Sequence, residues 1–428
     1  MKTRQKVSLT FLSLSCVCML FNGCAKRSDD GKILKSNTIT TASCFGSADF
    51  SSEDYNKLRR DFSNETKIEV IDSSSKADDK WKSEIRLSFE KGKQPDVMYF
   101  FTKTDVSDII QKNQVVSIDE IRAVYPDYAM NISPESLYDL RESNDKTYAV
   151  PVMRFWEGLF CNEKLFEKYN VKPITDWNSL LEAIDIFNAN GITPIASSFS
   201  DIPNYLLEHT IGAASGVKGH AANPKSIKEL PESWTEGLNL LKELYDRKAF
   251  SKDCCDTQHQ LAINLYNTQQ AAMIIEGSWL QLNSDVEKVT RIAAMPSSKT
   301  LPIEQKVSIS GVSCGWYITR QAWEDEAKRD NCIKYIKYMT SDKAISMLCR
   351  GGLPTTKNKI ELTVDVRPKI TSDAFQMLKN TKTDMPIDSR LSKGAWEYLI
   401  QKTPAIVKGE AKPSDVLKKV VEFNASKS

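Results

Sequence analysis

The chain has 428 residues, of which 41% are hydrophobic and 27% are charged, and its net charge is +2. This length exceeds what one hydrophobic core usually serves, so we expect two domains. The lysines are interspersed with acidic residues. That pattern argues against nucleic acid or an anionic membrane surface as the main partner, because both require a clustered basic face.

Residues 1–23 have the pattern of an export signal. Basic residues precede an apolar run that ends at Phe21 and is too short to span a bilayer comfortably. Gly23 supplies the small residue that a lipoprotein signal peptidase needs before Cys24, so we expect cleavage there and a lipid on Cys24. Secretion without a lipid is the alternative. Removal of the three basic residues of this segment changes the net charge from +2 to −1.

The cysteines do not have the spacing of a metal site. Ten are present; Cys16 and Cys18 leave with the signal, and Cys24 takes the lipid. The other seven form no CxxC pair and no Cys/His ligand pattern, so we expect no structural metal. An odd number cannot all pair within one chain. Buried thiols are favoured, and disulfides between some of them remain the alternative.

The first part of the chain alternates strands and helices. We predict strands at Thr38–Ser43, Lys67–Ile71 and Pro95–Phe100, separated by amphipathic helices. Such alternation predicts a parallel sheet covered on both faces, with ligands at the carboxyl ends of its strands. The candidate binding residues there are Phe45, Gly46 and Asp49 after the first strand, and Tyr99 and Phe101 after the third. A loop or core role is the alternative for each.

The stretch 147–177 is predicted to cross between two lobes. It holds two short strands, Tyr148–Met153 and Gly158–Cys161, before a helix that Asn162 can cap. Between the strands lie a guanidinium, two aromatic rings and a carboxylate, which suit a polar ligand: Arg154, Phe155, Trp156 and Glu157. Ordinary core packing is the alternative for the two aromatic residues.

The second lobe is predicted to be α/β as well. Asp176 can cap a helix with a clear apolar stripe, and Ile192–Ser197 is a strand. Three further helices are predicted at 203–213, 234–245 and 257–268. The apolar strand from Ala271 then leads through Glu276 to Trp279, which we expect to open a helix.

After Trp279 the chain is expected to return to the first lobe. Strands are predicted at 291–295, 307–310 and 315–319, and Trp316 becomes a further stacking candidate beside the return crossing. The predicted divisions are a signal at 1–23, a tether at 24–37, an N-terminal lobe at 38–150 and 285–340, and a C-terminal lobe at 151–284 and 341–428.

One enzyme motif is present. Gly311–Gly315 matches GxSxG, but a nucleophile elbow needs strand, turn and helix, with a histidine later in the chain. The segment after Gly315 has a strand pattern, and all three histidines come earlier. We therefore take the match as chance. The sequence also lacks the phosphate-loop, dinucleotide, zinc-protease and calcium-loop motifs, so we expect no cofactor.

Several of these segments resemble the family-1 extracellular solute-binding proteins of ABC importers, which mostly bind sugars. The resemblance rests on Tyr-Ala-Val-Pro at 148–151, Gly-Leu-Phe-Cys-Asn-Glu-Lys-Leu-Phe-Glu-Lys-Tyr at 158–169, Ala-Met…Gly-x-Trp at 272–279 and Pro-Asp-Val at 95–97. It departs at Cys161, where the family usually has Tyr, and at Asp176, which separates Thr175 from Trp177.

This resemblance implies a type II periplasmic-binding-protein-like α/β fold of two discontinuous lobes joined by hinge strands. It also implies a monomeric, lipid-anchored extracytoplasmic receptor that delivers a sugar to membrane permease subunits and performs no chemistry on it. Trp156, Trp279 and Trp316 would stack on sugar rings, because an indole buries the apolar face of a pyranose. Arg154, Glu157, Glu276 and Asp49 would bind hydroxyls. The alternatives are an exported polysaccharide-active enzyme and a surface scaffold or adhesin.

Overall fold

Two β-sheets with helices packed against them organise the chain. The computed structural model describes residues 37–46, 51–75, 77–200, 205–299, 301–302, 305–349, 351–358 and 368–426. In chain order the strands are β1 (Thr38–Ser43), β2 (Glu69–Asp72), β3 (Val97–Phe101), β4 (Met153–Asn162), β5 (Thr193–Ala196), β6 (Ala271–Gly277), β7 (Thr290–Ala293), β8 (Val307–Gly311), β9 (Cys314–Ile318), β10 (Leu353–Pro354) and β11 (Lys382–Asp384).

The helices begin mostly at side chains that accept a hydrogen bond from the first turn, such as Asp78, Asn162, Asp176 and Ser392. They are α1 (Ser52–Thr66), α2 (Asp79–Glu90), α3 (Ser107–Gln111), α4 (Ile118–Arg122), α5 (Pro134–Asp139), α6 (Glu163–Lys168), α7 (Trp177–Ala189), α8 (Tyr205–His220), α9 (Glu232–Asp246), α10 (His259–Asn267), α11 (Ser284–Glu287), α12 (Arg320–Glu324), α13 (Glu326–Met339), α14 (Asp342–Leu348), α15 (Pro368–Lys379), α16 (Lys393–Val407) and α17 (Pro413–Ala425). Short 3-10 helices lie at Lys103–Asp105, Ile227–Glu229 and Ile387–Ser389.

The first sheet has the strand order β2-β1-β3-β9. β1 pairs in parallel with β2 and β3, as the alternation of strands and helices predicts, and β9 closes the edge of β3 in the antiparallel direction. Its core joins residues from 39 to 152 with residues from 312 to 349. The mixed α/β architecture with two sheets confirms the predicted fold class.

The second sheet is built around β4. Its order is β11-β8-β4-β6-β5, and β7 and β10 also pair with β4. β4 runs without a break from Met153 to Asn162, so the predicted polar and aromatic knot between two strands lies inside one strand. The strand predicted at Tyr148–Met153 is reduced to a bridge between Val150 and Trp316. Pro151 explains the interruption, because proline has no backbone N–H to donate.

Two segments join a different lobe from the one expected. β7 and β8 were placed in the first lobe, but both pair with β4 in the second sheet. Conversely, Ala344, Ile345 and Leu348 of α14 lie in the core of the first sheet, beyond the expected boundary at residue 340. Alternating apolar residues identify a strand but carry no information about which sheet it joins.

Three chain segments pass between the sheets. The first precedes β4, where Val150 exchanges two backbone hydrogen bonds with Trp316 at 3.0 and 2.9 Å. The second joins β8 to β9. The third leads through β10 to Thr355, whose hydroxyl donates to the carbonyls of Pro151 and Val152 at 3.1 and 2.9 Å.

Two helices differ from their predicted limits. The described part of α8 begins at Tyr205 and continues to His220, past Gly216, which has a φ of 62° and interrupts the helical geometry. A side chain at Gly216 would also meet the carbonyl of Gln305 at 2.6 Å. Trp279 does not open a helix; it lies in a turn, and α11 begins at Ser284.

The seven cysteines within the described residues form no disulfide, in agreement with the favoured prediction. All except Cys314 are buried.

Replacing Trp156 by alanine should destabilise the protein strongly. The indole has no exposed surface, stacks on Phe160 with centroids 5.7 Å apart, and donates to the carbonyl of Gly351 at 2.6 Å. We expect a loss of about 3–5 kcal/mol in the free energy of unfolding, measured with urea. Phe375→Ala is the control, because Phe375 is 48% exposed. If the two variants lost similar stability, the packing described for Trp156 would be wrong.

Candidate functional site

The candidate site lies at one edge of the second sheet. β5 runs parallel to β6, β11 runs parallel to β8, and β4 is antiparallel to β6 and β8. The carboxyl ends of four strands therefore meet the start of β4, which is where ligands of α/β proteins bind. The polar and aromatic residues at this edge are Phe155, Glu157, Tyr205, Glu208, His209, Glu276, Trp279, Asp384 and Asp388.

Trp279 is the most exposed aromatic residue of this group. It is 39% exposed, and its ring centroid lies 5.7 Å from that of Phe155 and 5.5 Å from that of Tyr205. Its Nε1 donates to Glu276 Oε2 at 3.1 Å. Gly277 permits this fold of the chain, because a Cβ there would lie 2.3 Å from the indole. The ring is thus held in one orientation while part of its surface faces solvent.

Each of the three histidines pairs with a buried carboxylate. His209 Nε2 lies 3.2 Å from Glu157 Oε2, and His259 Nε2 lies 2.5 Å from Glu276 Oε1. Glu157 is 2% exposed and Glu276 is 1% exposed. These pairs place hydrogen-bond partners beside acids that would otherwise be costly to bury.

His220 is placed by the break in α8 at Gly216. Its Nδ1 lies 2.7 Å from Asp384 Oδ2, and its Nε2 lies 3.3 Å from Glu208 Oε1. Glu208 also accepts a hydrogen bond from the backbone N–H of Ile387. This histidine therefore joins α8 to the end of β11 and the turn that follows it.

Two acids of this edge, Glu157 and Asp388, have raised pKa values. Burial raises the pKa of Glu157 well above its ordinary value, and the negative charges of Glu208, Asp388 and Glu276 raise it further. The pKa of Asp388 is raised to about 7, first by enclosure among protein atoms and then by Glu208. Asp388 is nevertheless an exposed residue by surface area, so solvent reaches it.

The pKa values of His209 and His220 are shifted in opposite directions. Burial and, to a smaller extent, the nearby His220 together lower the pKa of His209 to about 3, so its imidazole is neutral. Burial also lowers the pKa of His220, but hydrogen bonds to Asp384 and Glu208 outweigh that effect and leave the pKa raised. His209 can therefore donate a proton in a hydrogen bond to Glu157 without supplying a positive charge.

The first lobe contributes a cationic and aromatic rim. Lys82 Nζ lies 4.0 Å from the ring centroid of Phe101, at the end of β3, and 2.8 Å from Asp105 Oδ2. Arg86 also binds Asp105, at 2.7 Å. Lys82 lowers and Asp105 raises the pKa of Asp388. The two sheets therefore contribute charged groups to the same cleft.

Three of the residues predicted from sequence come together at this edge: Glu157, Glu276 and Trp279. Arg154 is next to them in β4, but its guanidinium is bound to Asp139 at 2.6 Å and to Glu135 at 3.5 Å. Its side chain is only 14% exposed.

Four predicted aromatic residues are buried in cores. Trp156 and Trp316 have no exposed surface, and Phe45 and Tyr99 are 1% and 2% exposed. Phe45 stacks on Tyr99 with centroids 4.6 Å apart, beside Trp316. Neither indole presents a face to the cleft in this structure, and for Trp156 this agrees with the core alternative. Successive side chains of a strand point to opposite faces, so Trp156 faces away from the side that carries Phe155 and Glu157.

The remaining predicted residues lie on the first lobe. Gly46 is buried and its N–H donates to the carbonyl of Ser75 at 3.1 Å. Phe101 is partly buried beneath Lys82. Asp49 lies outside the described residues.

Four residues of this edge were not predicted from the sequence: Tyr205, His209, His259 and Asp388. Tyr205 begins the described part of α8, which follows the carboxyl end of β5, so the rule that ligands bind at strand ends could have found it. The histidines were harder to predict as site residues, because each pairs with an acid that is distant in the sequence.

The GxSxG segment has the geometry of a strand connection. β8 ends at Gly311 and β9 begins at Cys314, so the strand predicted after the motif is confirmed and no helix follows the serine.

Across the described residues, no group of three or more His, Cys, Asp or Glu side chains has a geometry that could hold a metal ion. In that same part of the chain, no helix is long and apolar enough to cross a membrane.

Replacing Glu157 by glutamine should stabilise the unliganded protein at alkaline pH. A folded-state pKa above the unfolded value gives stability at low pH that is lost as pH rises, because the unfolded state ionises more easily. Glutamine removes that loss and can still bind His209. We expect a gain of about 0.5–2 kcal/mol at pH 8 and a smaller one at pH 5, measured by urea unfolding.

The exposed acid Glu182 on α7 provides the control, and Glu182→Gln should change little at either pH. Destabilisation of Glu157→Gln at pH 8 would show instead that the ionised carboxylate is well compensated.

Solved structures with the same fold cover most of this chain. A structure from work on xylan utilization by the thermophilic bacterium Caldanaerobius polysaccharolyticus has a TM-score of 0.72 and 18% identity, covering 90% of this chain and 99% of its own. A chitin oligosaccharide binding protein has a TM-score of 0.75 and 16% identity, with 90% and 98% covered. The maltose/maltodextrin-binding domain from Bdellovibrio bacteriovorus, bound to maltotriose, has a TM-score of 0.67 and 16% identity, with 90% and 98% covered.

At these identities the likeness establishes the fold, which is the type II periplasmic-binding-protein-like fold. A search of curated protein sequences found no match. The family model described as bacterial extracellular solute-binding protein matches residues 51–345, which is more than half of the 428 residues. The chain therefore belongs to the bacterial extracellular solute-binding protein family.

Proposed function

We propose that this protein captures a carbohydrate in the cleft between its two sheets and delivers it, as a monomer, to the permease subunits of an ABC importer. Family membership implies an extracytoplasmic location. Proteins of the same fold named for a chitin oligosaccharide or bound to maltotriose support a carbohydrate as the solute. A separate ATPase would supply the energy for transport.

The observation that carries this proposal is the exposed indole of Trp279. Most large aromatic residues of the chain are buried, whereas this one is 39% exposed at the carboxyl edge of the second sheet. Tyr205 and Phe155 support it from the side. A pyranose has an apolar C–H face that an indole can bury while the hydroxyls remain free for Glu276 and Glu157.

The three connecting segments suit a hinged closure. Outside them, the two sheets have separate hydrophobic cores, so the lobes can rotate without disrupting either core. A ligand that contacts both lobes binds the closed form better and shifts the population towards it. The hydrogen bonds near the hinge, from Thr355 to Pro151 and from Ser310 to Phe155, would set its stiffness.

The proposed role requires binding without catalysis. The carboxylates of the cleft are engaged by histidines or backbone N–H groups, which suits hydrogen bonding to a ligand. The proposal also includes a lipid on Cys24, which would keep the receptor close to the permease.

Trp279→Ala should weaken carbohydrate binding by about tenfold or more, because it removes the proposed stacking surface. The measurement is the rise in melting temperature across a panel of mono- and oligosaccharides, since a ligand at about 100 times its Kd stabilises the native state by ~2.7 kcal/mol. The free protein should keep nearly all its stability because the ring is partly exposed.

Phe375→Ala is the matched control, since Phe375 is an exposed ring on α15 of the same lobe. Unchanged binding by Trp279→Ala would remove Trp279 from the site. If no carbohydrate of the panel raised the melting temperature of the wild-type protein, the proposed function would fail.

Cys24→Ala should move the protein from the membrane fraction to the soluble fraction when the full chain is expressed in a bacterium with a lipoprotein pathway. The reason is that two or more acyl chains are needed for stable anchoring, and Cys24 would carry them. The measurement is detergent phase partitioning of cell extracts, with Cys44→Ala as the control. Equal partitioning of the wild type and Cys24→Ala would argue against the anchor.

A further inference from the structure

We propose that the natural ligand carries a protonated amine, and that Glu157 and Asp388 form an anionic subsite for it beside the aromatic corner of Trp279. This inference rests on the proposed function, because it names the chemical class of solute for the same cleft. An amino sugar with a free amine satisfies both the charge and the aromatic surface.

Glu157 is a buried acid with little compensation. It is 2% exposed, and its Oε2 lies 3.2 Å from His209 Nε2. Among the described residues, His209 is the one hydrogen-bond partner of its side chain, whereas buried polar groups are normally well supplied with partners. Glu157 can therefore accept a further hydrogen bond from a ligand.

The surroundings of Glu157 supply negative charge rather than positive charge. The charged groups that affect it are Glu208, Asp388 and Glu276, and all three are acids. Its hydrogen-bond partner His209 is neutral, because its pKa is lowered to about 3. An ionised Glu157 in the empty cleft would thus repel its neighbours, and a cation from a ligand would remove that repulsion.

The other acids of the edge already have partners. Glu276 is bound to His259 and to the indole N–H of Trp279. Glu208 is bound to His220 and to the backbone N–H of Ile387. Both acids therefore already have partners within the protein.

Asp384 also has partners: its Oδ2 lies 2.7 Å from His220 Nδ1 and 2.9 Å from a guanidinium nitrogen of Arg390. Asp388 differs from it. Its carboxylate takes a backbone hydrogen bond from Ser389 and forms no ion pair among the residues that the structure describes. Its side chain is exposed, so a ligand can reach it.

The facing lobe does not neutralise this subsite. Lys82 is the cation that affects Asp388, but it binds Asp105 at 2.8 Å and lies over the ring of Phe101. Asp105 adds a negative charge of its own. A ligand amine would therefore be the main counter-charge for Glu157 and Asp388.

The aromatic corner suits such a ligand as well. The ring centroid of Trp279 lies 5.7 Å from that of Phe155 and 5.5 Å from that of Tyr205. A cation near an indole face gains attraction from the ring quadrupole, and the sugar ring buries its C–H face on the same surface.

Calorimetric titration at about pH 7 tests the proposal with oligosaccharides of equal length but different charge. The probes are a β-1,4-linked glucosamine tetramer, its fully N-acetylated form, a neutral glucose tetramer and an oligosaccharide that bears glucuronate. We expect the free amine to bind about tenfold or more tighter than the acetylated form, and the glucuronate to bind weakest. Repeating the titration in two buffers of different ionisation enthalpy should reveal protons released on binding of the amine.

Equal or tighter binding of the acetylated or neutral tetramer would overturn this inference while supporting the proposed function. Spermidine distinguishes the source of the amine: binding of spermidine but of no carbohydrate would keep the amine subsite and overturn the carbohydrate proposal. Failure of all these probes to bind would overturn both.

Asp388→Asn and Glu157→Gln should each reduce the preference for the free amine by about tenfold, because each removes an acid that can ionise beside the bound amine. Glu182→Gln, on an exposed part of α7, should leave the preference unchanged. Melting temperatures of the unliganded variants establish that they fold. Retention of the full preference in both site variants would overturn the assignment of the subsite to these two acids.

Discussion

A buried carboxylate in the central strand of the second sheet is the constraint on which the rest of the site depends. β4 pairs with β6, β7, β8 and β10, and every residue from Phe155 to Asn162 is buried. Strands buried on both faces are normally almost entirely apolar. Glu157 breaks this rule, and its burial costs free energy that its neighbours recover only in part. A residue that opposes stability at such a position is typical of a functional site.

The histidines show how the fold tolerates these acids. His209 remains neutral and serves as a hydrogen-bond donor, whereas the raised pKa of His220 lets it act as a cation between Asp384 and Glu208. The difference arises from the number of acids around each ring, since both rings are almost fully buried. The negative charges of Asp384 and Glu208, near the end of β11, are therefore better compensated than that of Glu157. The cleft is thus more negative on the side of Glu157.

Much of the fold could be predicted from the sequence because apolar periodicity is local. β1 was predicted with the observed limits, and the helix after Asp176 with its observed cap. The sheet to which β7 and β8 belong could not be predicted, because pairing depends on distant residues in β4. Of the residues predicted to bind a ligand, Glu157, Glu276 and Trp279 lie together at the candidate site. Tyr205 and the histidines were missed because their partners are far away in the chain.

Residue type alone did not separate a stacking tryptophan from a core tryptophan. Trp156 lies in a mainly apolar strand and Trp279 lies two residues after one, yet Trp156 has no exposed surface and Trp279 is 39% exposed. The difference lies in the backbone around them: Gly277 lets Trp279 fold over its own strand, whereas the carbonyl of Gly351 receives the indole N–H of Trp156 inside the core. An exposed indole is also a weak guide to the ligand, since every pyranose has an apolar face to bury. The charge of a cleft discriminates more strongly between ligands. A ligand of like charge leaves the buried charged groups uncompensated, whereas a ligand of opposite charge compensates them. For this protein, the acidic character of the aromatic corner, at Glu157 and Asp388, is therefore better evidence about the solute than the aromatic residues themselves.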